Sequence, residues 1–344
     1  MVMATALVGC TAAAGPGQSA GDEGTIALLL PDAKTARYET FDRPYFEARI
    51  EELGDYKVLY ANADQDAQKQ QQQAESALVA GAQVLVLDPV DVQAAVSIVL
   101  AANAQDVPVI SYDRLVAGGE LAYYVSFDNE KVGMLQAAAF VDALESRGDG
   151  SGGILMVNGS PTDSNAASFA TGARAVIDPT NLRVLAEYQT PDWSPDKAQE
   201  WVSGQISRFG ADIVGVYAAN DGTASGAISA LKAAGVEPWP IVTGQDAELT
   251  AIQRIVSGDQ YMTVYKAIKP QAERAAEVAV ALLRGEEVTA PMQVEGTPTT
   301  LLDPVAVTVH DIVDTVVADD FWSIDDICTP AYRAACVAAG LMQE

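Results

Sequence analysis

Short apolar runs alternate with longer amphipathic stretches along the chain from residue 25 onward. Continuous apolar runs at 25–30, 56–62, 84–87 and 107–111 have the length of strands that are buried on both faces. The stretches between them, at 42–53, 64–81 and 92–104, have the polar and apolar spacing of surface helices. Strands that are apolar on both faces are typical of parallel sheets covered by helices. The pattern therefore predicts α/β layers with parallel sheets.

The same pattern begins again at Gly153. Apolar runs near 153–158, 183–187, 212–216 and 241–243 alternate with predicted helices at 196–208, 222–234 and 247–257. Two matched sets of strands favour two Rossmann-like lobes, and one large sheet is the alternative.

Three stretches are candidates for passages of the chain between the lobes, at 127–129, 262–266 and 301–305. Several crossing segments form a hinge that can close on a ligand. We therefore expect a first lobe of residues 25–127 and 265–300, and a second lobe of residues 128–264 and 301–344. Residues 1–24 would lie outside both lobes.

Polar side chains follow two neighbouring predicted strands. Asp113 and Arg114 come after the run at 107–111, and Asp128 and Asn129 follow the run at 123–127. Because parallel strands present their carboxyl ends at one edge of a sheet, this edge is where polar ligands bind. We expect the first pair to bind a ligand and the second to mark a crossing between lobes.

The charge and the metal-binding residue types exclude several functions. The formal net charge is −27, which disfavours nucleic-acid binding. The three cysteines form no pair of CxxC motifs, and His310 is the single histidine, so we expect no metal site and no cofactor.

The N-terminal segment indicates export. Its apolar residues and small residues end in Leu7-Val8-Gly9-Cys10, which resembles the lipobox of bacterial lipoproteins. That resemblance implies lipid on Cys10, a flexible tether up to residue 24 and an extracytoplasmic protein held at the membrane. An ordinary secretory segment with a chance cysteine is the alternative.

Cys328 and Cys336 lie close together near the C-terminus. An oxidising compartment makes a disulfide between them plausible, and two buried thiols are the alternative.

Six motifs occur in an order that points to one family. The motifs are YDR at 112–114, SFDNEKVG at 126–133, GSPTDSNA at 159–166, AANDGTASGAI at 218–228, TGQDAE at 243–248 and TVYK at 263–266. Over residues 25 to 310 the chain resembles the periplasmic sugar-binding proteins of ABC importers. Within that family it most resembles the members that bind D-xylose. The resemblance implies two Rossmann-like lobes, a three-strand hinge and a monosaccharide in the cleft between the lobes.

The resemblance also implies a ligand site made of residues at the matching positions. These residues are Arg37, Tyr38, Asp113, Arg114, Asn165, Trp193, Asn220, Asp221, Asp246 and Lys266. The first loop departs from the family pattern, because a tyrosine replaces the usual tryptophan and the spacing to Asp42 is one residue longer.

The resemblance implies a monomeric receptor that delivers a sugar to an ABC permease, with no catalytic residues. Another aldose (glucose, arabinose or galactose) and a sensor for chemotaxis or signalling are the alternatives. The chain contains no GxSxG, HExxH or P-loop motif that would indicate an enzyme. A transcription regulator of related fold would need a basic helix-turn-helix before residue 25, where the chain is apolar and small.

Overall fold

The computed structural model describes residues 24–343, and its strands lie in three sheets. The strands are β1 Thr25–Leu30, β2 Lys57–Asn62, β3 Val84–Leu87, β4 Val109–Tyr112, β5 Tyr123–Phe127, β6 Gly153–Asn158, β7 Arg183–Gln189, β8 Ile213–Ala218, β9 Ile241–Val242, β10 Met262–Tyr265, β11 Met292–Val294, β12 Thr297–Leu302 and β13 Val305–Thr308. The predicted fold class, α/β with parallel sheets in two lobes, is confirmed.

Helices cover the sheets and connect their strands. They are α1 Arg43–Leu53, α2 Ala67–Val79, α3 Val96–Asn103, α4 Asn129–Arg147, α5 Ser164–Ile177, α6 Pro195–Phe209, α7 Asp221–Ala234, α8 Leu249–Ser257, α9 Ile268–Leu283, α10 Ile324–Ile327 and α11 Arg333–Ala338. Side-chain caps begin several of them, as at α5, where Asp163 accepts a hydrogen bond from the backbone N–H of Asn165.

The first lobe is built on a sheet with the order β11-β12-β5-β4-β3-β1-β2. All its neighbours are parallel except β11, which is antiparallel to β12. β3 and β4 are buried along their whole length, as their apolar sequences predict. The second lobe has the parallel sheet β7-β6-β8-β9.

The chain passes between the two large sheets at three places. It leaves β5 for α4, passes from β10 to α9, and continues from β12 to β13, which pairs antiparallel with β10. The predicted crossing stretches contain these connections. β12 pairs with β5 as far as Leu302, so the first sheet extends slightly beyond the predicted boundary at residue 300. The exact residues at which the chain divides into two discontinuous lobes stay a prediction.

The segment after β13 packs across the hinge side of the molecule. Its Phe321 stacks on Phe41 from the first lobe with ring centroids 4.0 Å apart, and Trp322 donates to the carbonyl oxygen of Ala247 at 2.8 Å. Cys328 and Cys336 are joined by a disulfide in this segment and are buried against α8 and its neighbours. Residue Cys10, the predicted lipid site, lies outside the described residues.

Helices α4 and α5 pack closely because each carries a glycine that lies against the backbone of the other helix. A Cβ atom on Gly133 would overlap the carbonyl oxygen of Phe169, and one on Gly172 would overlap that of Glu130. This contact fixes the middle of α5 against α4, and α5 carries part of the cleft described below.

We predict that Gly133→Ala lowers the free energy of unfolding by about 1 to 3 kcal/mol, because the helices must separate to make room for a methyl group. Urea denaturation of the full chain measures this change. The matched control is Gly204→Ala on the exposed face of α6, where the added Cβ would meet no atom of the described residues within 4 Å apart from the nearby backbone of its own helix. That variant should gain stability by roughly 0.5 to 1 kcal/mol through helix propensity. Equal stability of the two variants would contradict the close packing.

Candidate functional site

A buried polar cleft lies where the carboxyl ends of strands from both lobes meet. Its lining residues follow strands β1, β4, β6, β7, β8, β9 and β10 in the chain. They are Thr35, Arg37, Tyr38, Asp113, Arg114, Asp163, Asn165, Phe169, Trp193, Asn220, Gln245, Asp246 and Lys266. This is the position at which open parallel sheets bind ligands.

The cleft brings together nine of the ten residues that the sequence predicted to bind a ligand. They are Arg37, Tyr38, Asp113, Arg114, Asn165, Trp193, Asn220, Asp246 and Lys266, and each is less than a tenth exposed. Their assignment as ligand contacts stays a proposal.

Asp221, the tenth predicted residue, is not among those that line the cleft, and its role as a ligand contact stays a prediction. Its carboxylate accepts hydrogen bonds from Gln260 Nε2 at 2.7 Å, from Thr263 Oγ1 at 3.0 Å and from the backbone N–H of Glu248 at 3.0 Å. Asn220 caps α7 and faces the cleft, whereas the next residue along the helix turns away from it. Asp221 therefore holds the loop after β9 in place through these hydrogen bonds, from the side away from the cleft.

Most hydrogen-bonding groups of Arg37 are already used within the protein. Its Nε and Nη2 donate to the two carboxylate oxygens of Asp42 at 2.9 and 2.7 Å, a bidentate pair. Nη2 also donates to Gln271 Oε1 at 2.7 Å, and Nη1 donates to Asp113 Oδ1 at 3.1 Å. Of the five N–H groups of a guanidinium, one on Nη1 remains for another partner.

Asp113 directly follows β4, where the backbone turns tightly with a left-handed φ of 59°. Burial alone would raise the pKa of its carboxyl group, but the charges of Arg37, Lys266 and Arg114 outweigh burial and lower the pKa to about 2. Asp113 is therefore an anion at physiological pH, and its carboxylate can accept hydrogen bonds in the cleft.

Arg114 is held by groups on both sides of the cleft. Its Nη1 donates to the carbonyl oxygen of Pro89 at 3.0 Å and its Nη2 donates to the hydroxyl of Tyr38 at 3.2 Å. Its Nε lies 2.8 Å from Asp163 Oδ2 in the second lobe. One N–H on each terminal nitrogen stays available for a ligand.

The second lobe contributes an ion pair of its own. Lys266 Nζ lies 2.9 Å from Asp246 Oδ1, and both side chains are buried. The backbone of Asp246 has a φ of 99°, which turns its side chain toward the cleft rather than along the loop. Lys266 also lies 5.7 and 5.8 Å from the ring centroids of Phe127 and Phe169.

Trp193 and Phe169 form the aromatic wall of the cleft. Their rings meet edge to face at 6.3 Å between centroids. The indole packs directly on Gly159, where a Cβ atom would overlap the ring. An aromatic face of this kind suits the C–H face of a ring-shaped ligand.

The sequence reasoning missed four lining residues: Thr35, Asp163, Phe169 and Gln245. Asp163 and Gln245 lie inside quoted motifs, so the motifs had already contained the signal. Phe169 is four residues after Asn165 on α5, which places both on one helix face. Only Thr35 lacked a signal.

The formal charges of the lining residues cancel, since three are cations (Arg37, Arg114, Lys266) and three are anions (Asp113, Asp163, Asp246). Each charge has an opposite neighbour within the cleft, so neither an anionic nor a cationic ligand is favoured. Within residues 24–343, no cluster of three or more His, Cys, Asp or Glu side chains could hold a metal ion. In the same range, no helix has the length and hydropathy needed to cross a membrane.

Comparisons with known proteins give a consistent result. Residues 26–287 match the family described as periplasmic binding protein domain. A D-xylose-binding periplasmic protein of Haemophilus influenzae is 36% identical over 310 residues, which cover 88% of this chain and 91% of that protein. The multiple sugar-binding periplasmic receptor ChvE of Rhizobium radiobacter is 32% identical and covers 90% of this chain and 93% of its own length.

The solved structures include a similar protein from Clostridium phytofermentans, an ABC transporter solute binding protein with bound β-D-glucose. Its TM-score is 0.82 at 26% identity, and the alignment covers 88% of this chain and 99% of that chain.

Two carboxyl groups below the cleft predict a dependence of stability on pH. Burial raises the pKa of Asp221 to about 7, and burial together with the charges of Asp221 and Asp246 raises the pKa of Glu248 to about 8. The folded protein therefore binds more protons than the unfolded chain between about pH 4 and pH 8. Its stability should fall as the pH rises through this range.

We predict that Glu248→Gln flattens this dependence and raises the melting temperature at pH 8 by a few degrees, roughly the effect of 1 kcal/mol. Thermal unfolding of the full chain from pH 5 to pH 9 measures the effect. The control is Glu200→Gln on the exposed face of α6. A Glu248→Gln variant whose melting temperature falls with pH as steeply as that of the wild type would contradict the prediction.

Proposed function

The chain belongs to the periplasmic binding protein family and is an extracytoplasmic sugar-binding receptor of an ABC importer, not an enzyme; within this class we propose that its ligand is D-xylose. The observation that carries the proposal is a buried cleft with cancelling charges and one aromatic wall, in a chain 36% identical to a D-xylose-binding protein. The lipid anchor on Cys10 and the monomeric state stay predictions.

The free hydrogen-bonding groups of the cleft suit the hydroxyl groups of a pyranose. Each sugar hydroxyl can donate one hydrogen bond and accept two. Asp113 and Asp246 offer carboxylate oxygens to hydroxyl protons, while Arg114 and Lys266 offer the N–H groups that protein partners leave unused. Hydrogen bonds to charged groups are roughly twice as strong as neutral ones.

The remaining lining groups refine this picture. Asn165 and Asn220 present amides that can donate and accept, and Arg37 contributes one N–H group. Trp193 and Phe169 would lie against the ring of the sugar. Arg37 acts mainly by holding Asp113 in place, since four of its N–H groups bind protein atoms.

Glucose is the second candidate ligand. It differs from xylose by a hydroxymethyl group on C5, and a structural neighbour with a TM-score of 0.82 contains bound β-D-glucose. The relative ChvE is described as a multiple sugar-binding receptor, so a broader range of aldoses is consistent with the family. A role of this receptor in signalling rather than in import stays an alternative, because the same closed complex with sugar would serve either role.

The experiment that tests the ligand is calorimetric titration of the full chain with D-xylose, D-glucose, L-arabinose, D-galactose and D-xylonate. We expect one-to-one binding of xylose, at least about tenfold weaker binding of glucose, and no binding of the anion xylonate. Tenfold corresponds to about 1.4 kcal/mol, a realistic discrimination for one substituent group. Tighter binding of another aldose would move the specificity, and binding of no neutral sugar would refute the proposal.

We predict that Arg114→Ala and Asp246→Ala each raise the dissociation constant for the sugar by roughly 100-fold or more. Each substitution removes a charged partner and leaves the opposite charge, Asp163 or Lys266, buried without its ion pair. The control is Arg208→Ala on the exposed end of α6, which should bind like the wild type. Wild-type affinity in both cleft variants, with both shown to be folded by circular dichroism, would contradict the assigned site.

A further inference from the structure

Four consecutive residues of the second lobe, 162–165, make direct contacts with the first lobe. Thr162 accepts a hydrogen bond at its carbonyl oxygen from the backbone N–H of Val92 at 3.1 Å. Its hydroxyl donates to the carbonyl oxygen of Val90 at 3.3 Å. Both valines belong to the loop after β3, so this end of the segment is bound to the backbone of the opposite lobe.

The other end of the segment binds the loop after β4. Ser164 accepts a hydrogen bond at Oγ from the backbone N–H of Leu115 at 2.9 Å. Asn165 Nδ2 lies 3.2 Å from the carbonyl oxygen of Asp113 and donates to it. Two first-lobe loops are thus held by one short stretch at the start of α5.

Asp163, between these two ends, joins one charged and one aromatic residue of the cleft. Its Oδ2 accepts a hydrogen bond from the indole N–H of Trp193 at 2.9 Å and lies 2.8 Å from Nε of Arg114. Its Oδ1 caps α5 by accepting from the backbone N–H of Asn165 at 2.8 Å. The side chains of both Asp163 and Arg114 are only 4% exposed, so solvent does not screen their pair.

The hydrogen bonds of Thr162, Ser164 and Asn165 to the first lobe, and the Asp163–Arg114 pair, form only when the two lobes are together, because each joins residues that follow strands of different sheets. Thr162 and Ser164 do not line the cleft, so their hydrogen bonds do not depend on the ligand. Closure of the lobes therefore has a favourable contribution that comes from the protein alone.

We propose that residues 162–165 form a closure loop whose contacts set the population of the closed receptor, and that Asp163 is its positioning residue for Arg114 and Trp193. This inference rests on the proposed function, because it concerns how the same cleft retains its sugar. If the closed form is the form that binds tightly, the apparent dissociation constant rises as the closed population falls. Weaker closure should act mainly by releasing the sugar faster.

The sharpest test uses Ser164, which touches the opposite lobe but not the cleft. Ser164→Ala removes the acceptor for the N–H of Leu115, and we expect the dissociation rate of D-xylose to rise about 3- to 10-fold with little change in the association rate. Stopped-flow fluorescence of the full chain measures both rates. The ratio of affinities for xylose and glucose should stay unchanged, because the loss affects closure and not the contacts that read the sugar.

Two variants control this test. Ser164→Thr keeps a hydroxyl oxygen and should restore the wild-type dissociation rate. Ser207→Ala removes a hydroxyl from the exposed face of α6, where Oγ binds only the carbonyl oxygen of Ser203, and it should bind as the wild type does. A dissociation rate in Ser164→Ala equal to that of wild type, or an altered ratio between the two sugars, would overturn the closure loop.

Asp163→Asn tests the positioning role separately. Asparagine has one oxygen in place of two, so it can accept from the backbone N–H of Asn165 or from the indole N–H of Trp193 but not from both at their present positions, and it loses the charge that pairs with Arg114. We expect affinity to fall about 10- to 100-fold, because this contact is charged and buried. Small-angle scattering at saturating xylose should show the variant as compact as the wild type, since only the population without sugar is shifted.

The outcomes separate this inference from the proposed function. Wild-type protein that binds no sugar refutes the proposed function before any variant is compared. Wild-type binding together with unchanged affinity in Asp163→Asn overturns the positioning role and leaves the receptor assignment intact.

Discussion

Burying six charged side chains around a small cleft is the condition on which the rest of this structure depends. An isolated ion costs several kcal/mol to remove from water, so each buried charge needs a partner of opposite sign held at the correct distance. The cleft meets this condition with the pairs Arg37–Asp113, Arg114–Asp163 and Lys266–Asp246. Arg37–Asp113 joins loops of the first lobe, Lys266–Asp246 joins loops of the second, and Arg114–Asp163 joins the two lobes. All three pairs therefore exist together only when both sheets and their loops are folded.

The segment after β13 supports the same cleft from outside. Phe41 stacks on Phe321 and directly precedes Asp42, the residue that fixes Arg37. Trp322, the next residue of the segment, donates to the carbonyl oxygen of Ala247, which directly follows Asp246. One short stretch thus contacts the sequence neighbours of cleft-lining residues in both lobes. It lies beyond residue 287, where the match to the family ends.

Much of this arrangement could be predicted from the sequence, because apolar runs locate the strands and the cleft lies at their carboxyl ends. The positions that match the family pattern selected nine residues that the fold brings together, and six of the nine lie in the quoted motifs. The sequence alone does not distinguish Asn220 from Asp221, because the two are adjacent polar residues at a helix start and only the turn of the helix decides which one faces the cleft. Glu248 lies in the quoted motif at 243–248, but its raised pKa could not be predicted from the sequence, because the burial that raises it arises from packing between separate segments.

The contacts of residues 162–165 show how specificity and retention can be separated in one cleft. Asp113, Asp246 and Lys266 line the cleft, so under the proposed function we expect changes there to alter which hydroxyl groups are recognised. Thr162 and Ser164 bind the opposite lobe and do not line the cleft, so we expect changes there to alter how long any accepted sugar stays. Asp163 belongs to both sets, because one of its oxygens lies against Arg114 and the indole of Trp193. A receptor built this way can be tuned in affinity at the loop without rebuilding the groups that read the ligand.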